Sequence, residues 1–305
     1  MQWFQTGSGW SFAAQTITLR VTDRCQHNEE GCTVTDSSST PGYGGPIEIN
    51  TGFPHTARVW NYWLGGKDNF PADREAGDEV RALIPEIVDS ARADRAFLGR
   101  VVRYLAGEEG IRQFLDVGTG IPTANNTHEV AQAAAPESRI VYVDNDPIVL
   151  AHARALLTSS PQGVTDYIDA DARDTDKILL AAAKTLDFGQ PVALMLLGIL
   201  NHIVDDDEAH AIVNRLLDAV PSGSYLVVGH PTKEVHGEAM AEAMRLWNER
   251  GGTPIRDRSR QELARFFDRL ELLEPGVVSC SRWRPDPADA DPVEVSEFCA
   301  VGRKP

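Results

Sequence analysis

The stretch "FLDVGTGIP", residues 114–122, carries the most specific chemistry in the chain. An apolar run ends in Asp116, and Gly118 and Gly120 follow, with Thr119 between them. Glycines let the backbone come close to a ligand, and doubly wound folds bind ligands just beyond the carboxyl ends of their strands. A dinucleotide fingerprint would continue G-x-G-x-x-G, but its third glycine is replaced here by Thr123. An acid two residues before the first glycine is instead the arrangement of S-adenosylmethionine (SAM) sites, where the carboxylate faces the methionyl ammonium, directly or through water. Pro122 stands where many such sites have a further glycine. An ordinary tight strand–helix turn would also account for the two glycines.

Further acids follow at the same edge. Asp144 closes the apolar "RIVYVD", 28 residues after Asp116. A carboxylate there can accept hydrogen bonds from both ribose hydroxyls. Asp146, one residue before Pro147, is the better helix cap, which leaves Asp144 and its neighbour Asn145 for ligand. In "IDADARD", Asp171 can accept the adenine amino hydrogens, with Ala172 beside it. Asp169, Asp174 and Asp176 compete for that role, and Asp174 reads as the next helix cap. Asn201 and His202 follow a fourth apolar run, and His230 ends a fifth. A histidine at that edge is a candidate general base, although each taken singly also reads as a satisfied structural residue.

These positions need a frame that brings strand ends together. Helical patterns fit 55–64, 71–84 and 89–110, the last capped by Asp89 or Ser90 and stopped at Gly110. After 110 the chain alternates. Apolar strands "IRQFLDVG", "RIVYVD", "VTDYIDA", "PVALMLLG" and "SGSYLVVGH" are separated by the helical "THEVAQAAA", "PIVLAHARALL", "TDKILLAAAKTL" and "DDEAHAIVNRLLDAV". The helical "EAMAEAMRLWNER" comes next. Such alternation with short loops predicts an α/β fold, a parallel sheet covered on both faces. "GVVSCSRW" (276–283) and "EFCAVGRK" (297–304) predict a closing antiparallel hairpin.

The 305 residues are 42% hydrophobic and 24% charged, ordinary for a globular protein. No apolar run reaches the roughly 20 residues of a membrane span, and the first residues lack the pattern of a signal peptide. A formal net charge of −16 disfavours nucleic-acid binding. Cys25, Cys32, Cys280 and Cys299 form no C-x-x-C pair, so neither a metal site nor a disulfide framework is expected. Cys25 and Cys32 could bridge in a secreted chain, but a reduced cytoplasm is the expectation. Residues 1–50 include the turn-rich "DSSSTPGYGGP". They are expected to be a disordered appendage, or sequence read from too early a start codon, ahead of a helical lid over 51–110 and a SAM-binding domain over 111–305.

Taken together, "ARVWNYWLGGKDNFPADREAG" (57–77), "FLDVGTGIPTANNTHEVAQAAAP" (114–136), "RIVYVDNDPIVLAHARALL" (139–157), "DADARDTDKIL" (169–179), "LNHIVDDDEA" and "GSYLVVGH" carry a resemblance. Over about residues 54–305 the chain resembles the S-adenosyl methyltransferase family first catalogued as a domain of unknown function. Leu64–Phe70 is its most family-specific piece. The resemblance implies a class I methyltransferase fold: a doubly wound, mostly parallel seven-stranded sheet with an antiparallel last strand. It implies SAM as cofactor, with Asp116, Gly118 and Gly120 in the glycine motif, Asp144 as the ribose acid and Asp171 as the adenine-side acid. It supplies no acceptor and no catalytic base.

"RVWNYWLGGKDNF" (58–70) then reads as part of the lid. Arg58, Asn61, Lys67 and Asp68 interrupt the run too often for a membrane anchor. Val59 and Trp63 suit the core. Arg58 is expected to meet the methionyl carboxylate, Tyr62 to stack or hydrogen-bond, and Gly65 with Gly66 to turn the backbone closely over the ligand, with Asn69 in the same group. The functional expectation is a SAM-dependent methyltransferase acting on a small molecule, with His202 and His230 as the candidate bases. The alternative is a SAM-binding sensor without turnover.

Overall fold

The computed structural model describes residues 33–34, 47–156, 159–287 and 292–305. Two units separate, Met1–Ile49 and Asn50–Pro305. In the first, β1 (Thr33–Val34) pairs antiparallel with β2 (Ile47–Glu48). The rest of the appendage expected over residues 1–50, with Cys25 and Cys32, lies outside the described residues, Ile49 and Asn50 excepted.

The second unit opens with three helices, α1 (Thr56–Trp63), α2 (Pro71–Leu83) and α3 (Ile87–Gly107). Pro71 sits in the first turn of α2, where its missing N–H costs nothing, and the Asp73 carboxylate accepts the Phe70 amide at 2.7 Å. α3 begins two residues before Asp89, so Asp89 and Ser90 lie inside its first turn and do not cap it. Phe97, Val101, Val102 and Leu105 form its buried stripe, spaced for one helical face.

The sheet contains β3 (Gln113–Val117), β4 (Arg139–Asp144), β5 (Val164–Asp169), β6 (Ala193–Leu197), β7 (Tyr225–Pro231), β8 (Glu271–Leu272), β9 (Val278–Ser279) and β10 (Glu297–Arg303). Seven strands follow the order β5-β4-β3-β6-β7-β10-β8, and β9 pairs with β10 beside them. β3 to β7 pair in parallel, and β10 runs antiparallel to each of its neighbours. This is the class I methyltransferase arrangement, with the last strand inserted between β7 and β8. The hairpin expected between 276–283 and 297–304 shrinks to two pairs, Phe298 with Ser279 and Cys299 with Val278. All seven residues of β10 instead pair with β7, whose buried strand offers a full ladder.

Alternating side chains supply both faces of the sheet. Leu115, Val117, Val141, Val143, Leu194, Leu226, Phe298 and Ala300 join one core. Phe114, Ile140, Tyr142, Met195, Tyr225, Val227, Cys299 and Val301 join the other, against the stripe of α3. The crossover helices are α4 (Thr127–Ala134), α5 (Pro147–Leu156), α6 (Thr175–Ala182) and α7 (Asp206–Asp218). α8 (Gly237–Glu249) packs on α2, and the short α9 (Arg260–Ala264) leads towards β8. Every loop leaving a parallel strand emerges at the same sheet edge, where α1 and the start of α3 also lie.

Candidate functional site

A cleft crosses that edge, enclosing about 1200 Å³ with its open mouth. Asp116, Gly118, Thr119, Gly120, Asp144, Asn145, Asp171, Ala172 and His202 all line it. Asp116 is only 3% exposed, and its Oδ2 accepts the Thr127 hydroxyl at 2.6 Å from the first turn of α4. Burial pushes its carboxyl up to about 6, against the lowering effect of that hydrogen bond and of Arg95.

The loop after β3 needs its glycines. Gly118 has φ +77° and Gly120 φ +67°, the left-handed region that glycine enters freely. A Cβ on Gly118 would lie 2.6 Å from the Ile199 Cβ, so Ile199 closes over this turn because no side chain stands there. The Asp144 carboxylate accepts the Gly120 amide at 2.8 Å and the Asp146 amide at 2.9 Å. Burial raises its carboxyl as well. Asp146 accepts the Ile148 amide at 2.8 Å, the capping duty expected of it. Asp171 accepts the Arg173 amide at 2.9 Å and the Asn145 side-chain amide at 3.4 Å.

The lid segment reaches the cleft with a different face from the one expected. Thr56, Ala57, Trp60, Asn61 and Leu64 line the cleft; Arg58, Tyr62 and Gly65 do not. Arg58 is 4% exposed and turns inward. Its Nε lies 3.3 Å from Asp73 Oδ1, and its two other nitrogens donate to the carbonyls of Asn50 at 3.0 Å and Phe53 at 3.1 Å. The Tyr62 hydroxyl donates to Asp78 at 2.8 Å, on the far side of the helix. Gly65, φ +82°, and Gly66 close α1, their amides donating to Tyr62 O at 3.0 Å and Asn61 O at 2.8 Å. Gly66 also makes room for the Asn61 side chain, whose Nδ2 would lie 2.2 Å from a Cβ there. Asn61 Oδ1 in turn accepts the Asp68 amide at 3.0 Å and the Asn69 side-chain amide at 2.9 Å. His55 lies 3.0 Å from Asp146, and His152 3.2 Å from Asp68, so the segment contacts the start and the body of α5 at two places.

The two histidines part company. His202 lines the cleft, and burial pushes its ring down to about 4, so it is neutral at pH 7. His230 is 1% exposed beneath the edge, with its Nε2 2.8 Å from Arg258 Nη1. Burial pushes it down to about 3. It braces Arg258, which also donates to the carbonyls of Leu200 and Ile203 at 2.8 Å, and it does not line the cleft.

Arg95 and Asp94 on α3 are absent from the residues the sequence picks out, yet both line the cleft. Arg95 donates to the carbonyls of Ala124 and Asn125 at 3.1 and 3.2 Å, holding the end of the glycine loop. Their only sequence signal is a charged pair on the otherwise apolar side of an amphipathic helix. Arg173, after β5, is the third missed charge, and donates to the His202 carbonyl at 2.9 Å. Among the described residues no cluster of His, Cys, Asp and Glu could hold a metal ion, and no helix is long and apolar enough to cross a membrane.

The donor set fits SAM: buried acids at consecutive strand tips, a nearby guanidinium, and a backbone turn with no Cβ in the way. The comparisons agree. The S-adenosyl methyltransferase family matches residues 44–305. A DUF574 family protein from Streptomyces avermitilis is 46% identical, with a TM-score of 0.81, over 84% of this chain and 99% of that one. A candidate methyltransferase from Thermobifida fusca is 41% identical, with a TM-score of 0.75, over 83% and 96% of the two chains. No curated protein matches. The chain belongs to the S-adenosyl methyltransferase family, and SAM is its cofactor.

Proposed function

We propose that this protein transfers a methyl group from SAM to a small-molecule acceptor, under a helical lid formed by residues 51–110. SAM supplies an electrophilic methyl on a sulfonium that leaves as a neutral thioether. Asp116 faces the methionyl ammonium, and Arg95, which lines the same cleft, takes the methionyl carboxylate in the place expected of Arg58. Asp144 and Asn145 hold the ribose, while Asp171 and Ala172 meet the adenine. Trp60, Asn61 and Leu64 cover the cofactor and exclude water, so that much of the rate comes from positioning. The observation that carries this reading is the joint placement of Asp116, Gly118 and Asp144 in one cleft. Cytoplasmic residence is part of the proposal, in keeping with Cys280 and Cys299 as buried free thiols. The charge of −16 favours a small acceptor over nucleic acid.

Calorimetry with SAM, S-adenosylhomocysteine and NAD, followed by a radiolabelled-methyl screen against cell extract, tests the proposal. Binding of the first two ligands, no binding of NAD, and a labelled small product are expected. Indifference to SAM at millimolar concentration overturns it. Tight SAM binding with no labelled product in any extract overturns the transferase reading and leaves a sensor.

A further inference from the structure

A second cavity lies beside the cofactor cleft. Thr56, Trp60 and Gly198 line both, so the two spaces share a wall at the tip of β6. The second cavity is apolar along its sides, where Trp63, Met240, Met244, Trp247 and Ile255 from α1, α8 and the loop after it surround it. Trp60 and Trp63 meet edge to face with centroids 6.1 Å apart. This answers why two tryptophans sit three apart on α1: they wall one cavity.

Its floor is polar. Ser90, Asn201 and Glu297 line it at 3%, 5% and 3% exposure. Ser90 Oγ, Asn201 Oδ1 and Glu297 Oε1 have no hydrogen-bond partner in the protein, and neither has Asp94 Oδ1 on the cofactor side of the wall. Glu297 reaches this place because β10 runs antiparallel: its first residue pairs with Pro231, the last of β7, at the edge where ligands bind. Buried polar atoms without partners are rare in native proteins and costly to leave unpaired. Three of these are carbonyl or carboxyl oxygens, and the Ser90 hydroxyl, like that of Thr56 on the shared wall, which is also without a partner, can accept as well as donate. The missing partner is therefore a donor, and two neighbouring carboxyls favour one that carries positive charge.

We infer that this cavity takes the methyl acceptor, and that the acceptor is an amine on an apolar, ring-sized body, its nitrogen set against Glu297 and Asn201. This rests on the proposal that SAM occupies the neighbouring cleft. The body lies among Trp60, Trp63, Met244 and Trp247, and the nitrogen points towards the shared wall. Glu297 takes a proton from the incoming ammonium. The freed nitrogen lone pair then forms the new C–N bond as the C–S bond breaks and its electron pair returns to sulfur, leaving a methylated ammonium and a thioether. No histidine lines this cavity, so the base duty expected of His202 or His230 falls to Glu297. Burial, with Asp94 nearby, raises the Glu297 carboxyl well above the usual range, so it holds a proton more readily than an exposed glutamate does.

The test uses the full chain and a panel of primary and secondary arylalkylamines, 2-phenylethylamine first, each beside the alcohol of the same shape. Binding is read by calorimetry without SAM, and methylation by mass. Several amines are expected to bind at least tenfold more tightly than their alcohols and to gain a methyl group. Glu297→Gln keeps shape and removes charge. It should erase that preference and leave SAM affinity within twofold. Met244→Trp fills the cavity and should block amine binding, again with SAM affinity kept. A protein that binds SAM but treats amines and alcohols alike, or binds neither, overturns the inference while leaving the cofactor reading intact. Loss of SAM binding by the unaltered chain strikes the cofactor reading instead.

Discussion

The Asp144 carboxylate accepts the Gly120 amide at 2.8 Å, so the tip of β4 holds the loop that leaves β3. One oxygen stays on the loop and the other on the Asp146 amide at 2.9 Å, yet a carboxylate has lone pairs to spare for a ligand's hydroxyls. Asp144→Ala removes both contacts at once. It is expected to weaken SAM binding about 10- to 100-fold, the contribution of one or two charge-assisted hydrogen bonds, while the fold persists. Calorimetry checks the affinity, and an unchanged dissociation constant would remove Asp144 from the site.

Asp116 gives a pH signature. Its carboxyl is pushed up to about 6 by burial, so the cofactor-free folded protein keeps a proton that the unfolded chain releases near pH 4. Stability attributable to this residue is therefore present at low pH and is lost as pH rises from about 4 to about 6. Asp116→Asn keeps an acceptor for the Thr127 hydroxyl without the charge. It is expected to stabilise the cofactor-free protein at pH 8 by up to about 3 kcal/mol, the free energy of holding a carboxyl at about 6 rather than near 4, and to lose SAM binding. In the unaltered protein SAM affinity should fall about tenfold for each pH unit below 6, because only the ionised carboxylate pairs with an ammonium. Urea melts and calorimetry across pH 5–8 read both effects; a variant no more stable than its parent at pH 8 contradicts the first.

The strand-tip residues were legible in the sequence because their placement is a local matter. A residue that ends an apolar run in an alternating α/β chain lies at the ligand edge whatever the rest of the fold does, and Asp116, Gly118, Asp144, Asp171 and His202 all lie there. Arg58 and Tyr62 were misplaced because the face of a short helix that meets the ligand depends on its packing. α2 draws Arg58 to Asp73 and Tyr62 to Asp78, which turns Trp60, Asn61 and Leu64 to the cleft instead. Glu297 was invisible for a third reason. Reading 276–283 and 297–304 as a hairpin leaves the acid at a turn, whereas β10 inserted beside β7 sets it at the floor of a cavity. Non-local strand pairing leaves no mark in nearby residues.

Arg58 and Tyr62 can be told apart by stability rather than binding. Arg58 and Asp73 are both buried, at 5% and 0% side-chain exposure, and Asp73 also accepts the His55 amide at 2.9 Å. Arg58→Met leaves that carboxylate without its cation, a change that costs about 3–5 kcal/mol for buried pairs. A melting temperature lower by roughly 10 °C is expected. Tyr62→Phe removes one exposed hydrogen bond to Asp78, and is expected to change stability by less than about 1 kcal/mol and leave SAM affinity alone. Comparable melting temperatures for the two variants would contradict the assignment of Arg58 to the lid's interior.

The two glycines of the loop after β3 predict unequal costs for the same substitution. Alanine at either position must hold a left-handed backbone, φ +77° at Gly118 and +67° at Gly120, at roughly 1–2 kcal/mol. At Gly120 little else opposes it, since the nearest atom to a new Cβ is the Ala57 Cβ at 3.9 Å. At Gly118 the new Cβ would stand 2.6 Å from the Ile199 Cβ, an atom fixed to the backbone, so the loop or the segment after β6 must shift. Overpacking of that kind adds about 1–3 kcal/mol. Gly118→Ala is therefore expected to lower stability by about 2–5 kcal/mol and Gly120→Ala by about 1–2 kcal/mol in urea melts. Because Ile199 and Gly118 both line the cleft, the larger shift should also weaken SAM binding in the first variant. Gly118→Ala, Ile199→Ala tests the cause directly: removing the obstructing side chain should return the part of the loss that exceeds the left-handed strain, once the cost of Ile199→Ala alone is allowed for. A double variant whose two losses simply add would show that Ile199 is not what excludes a side chain at this turn.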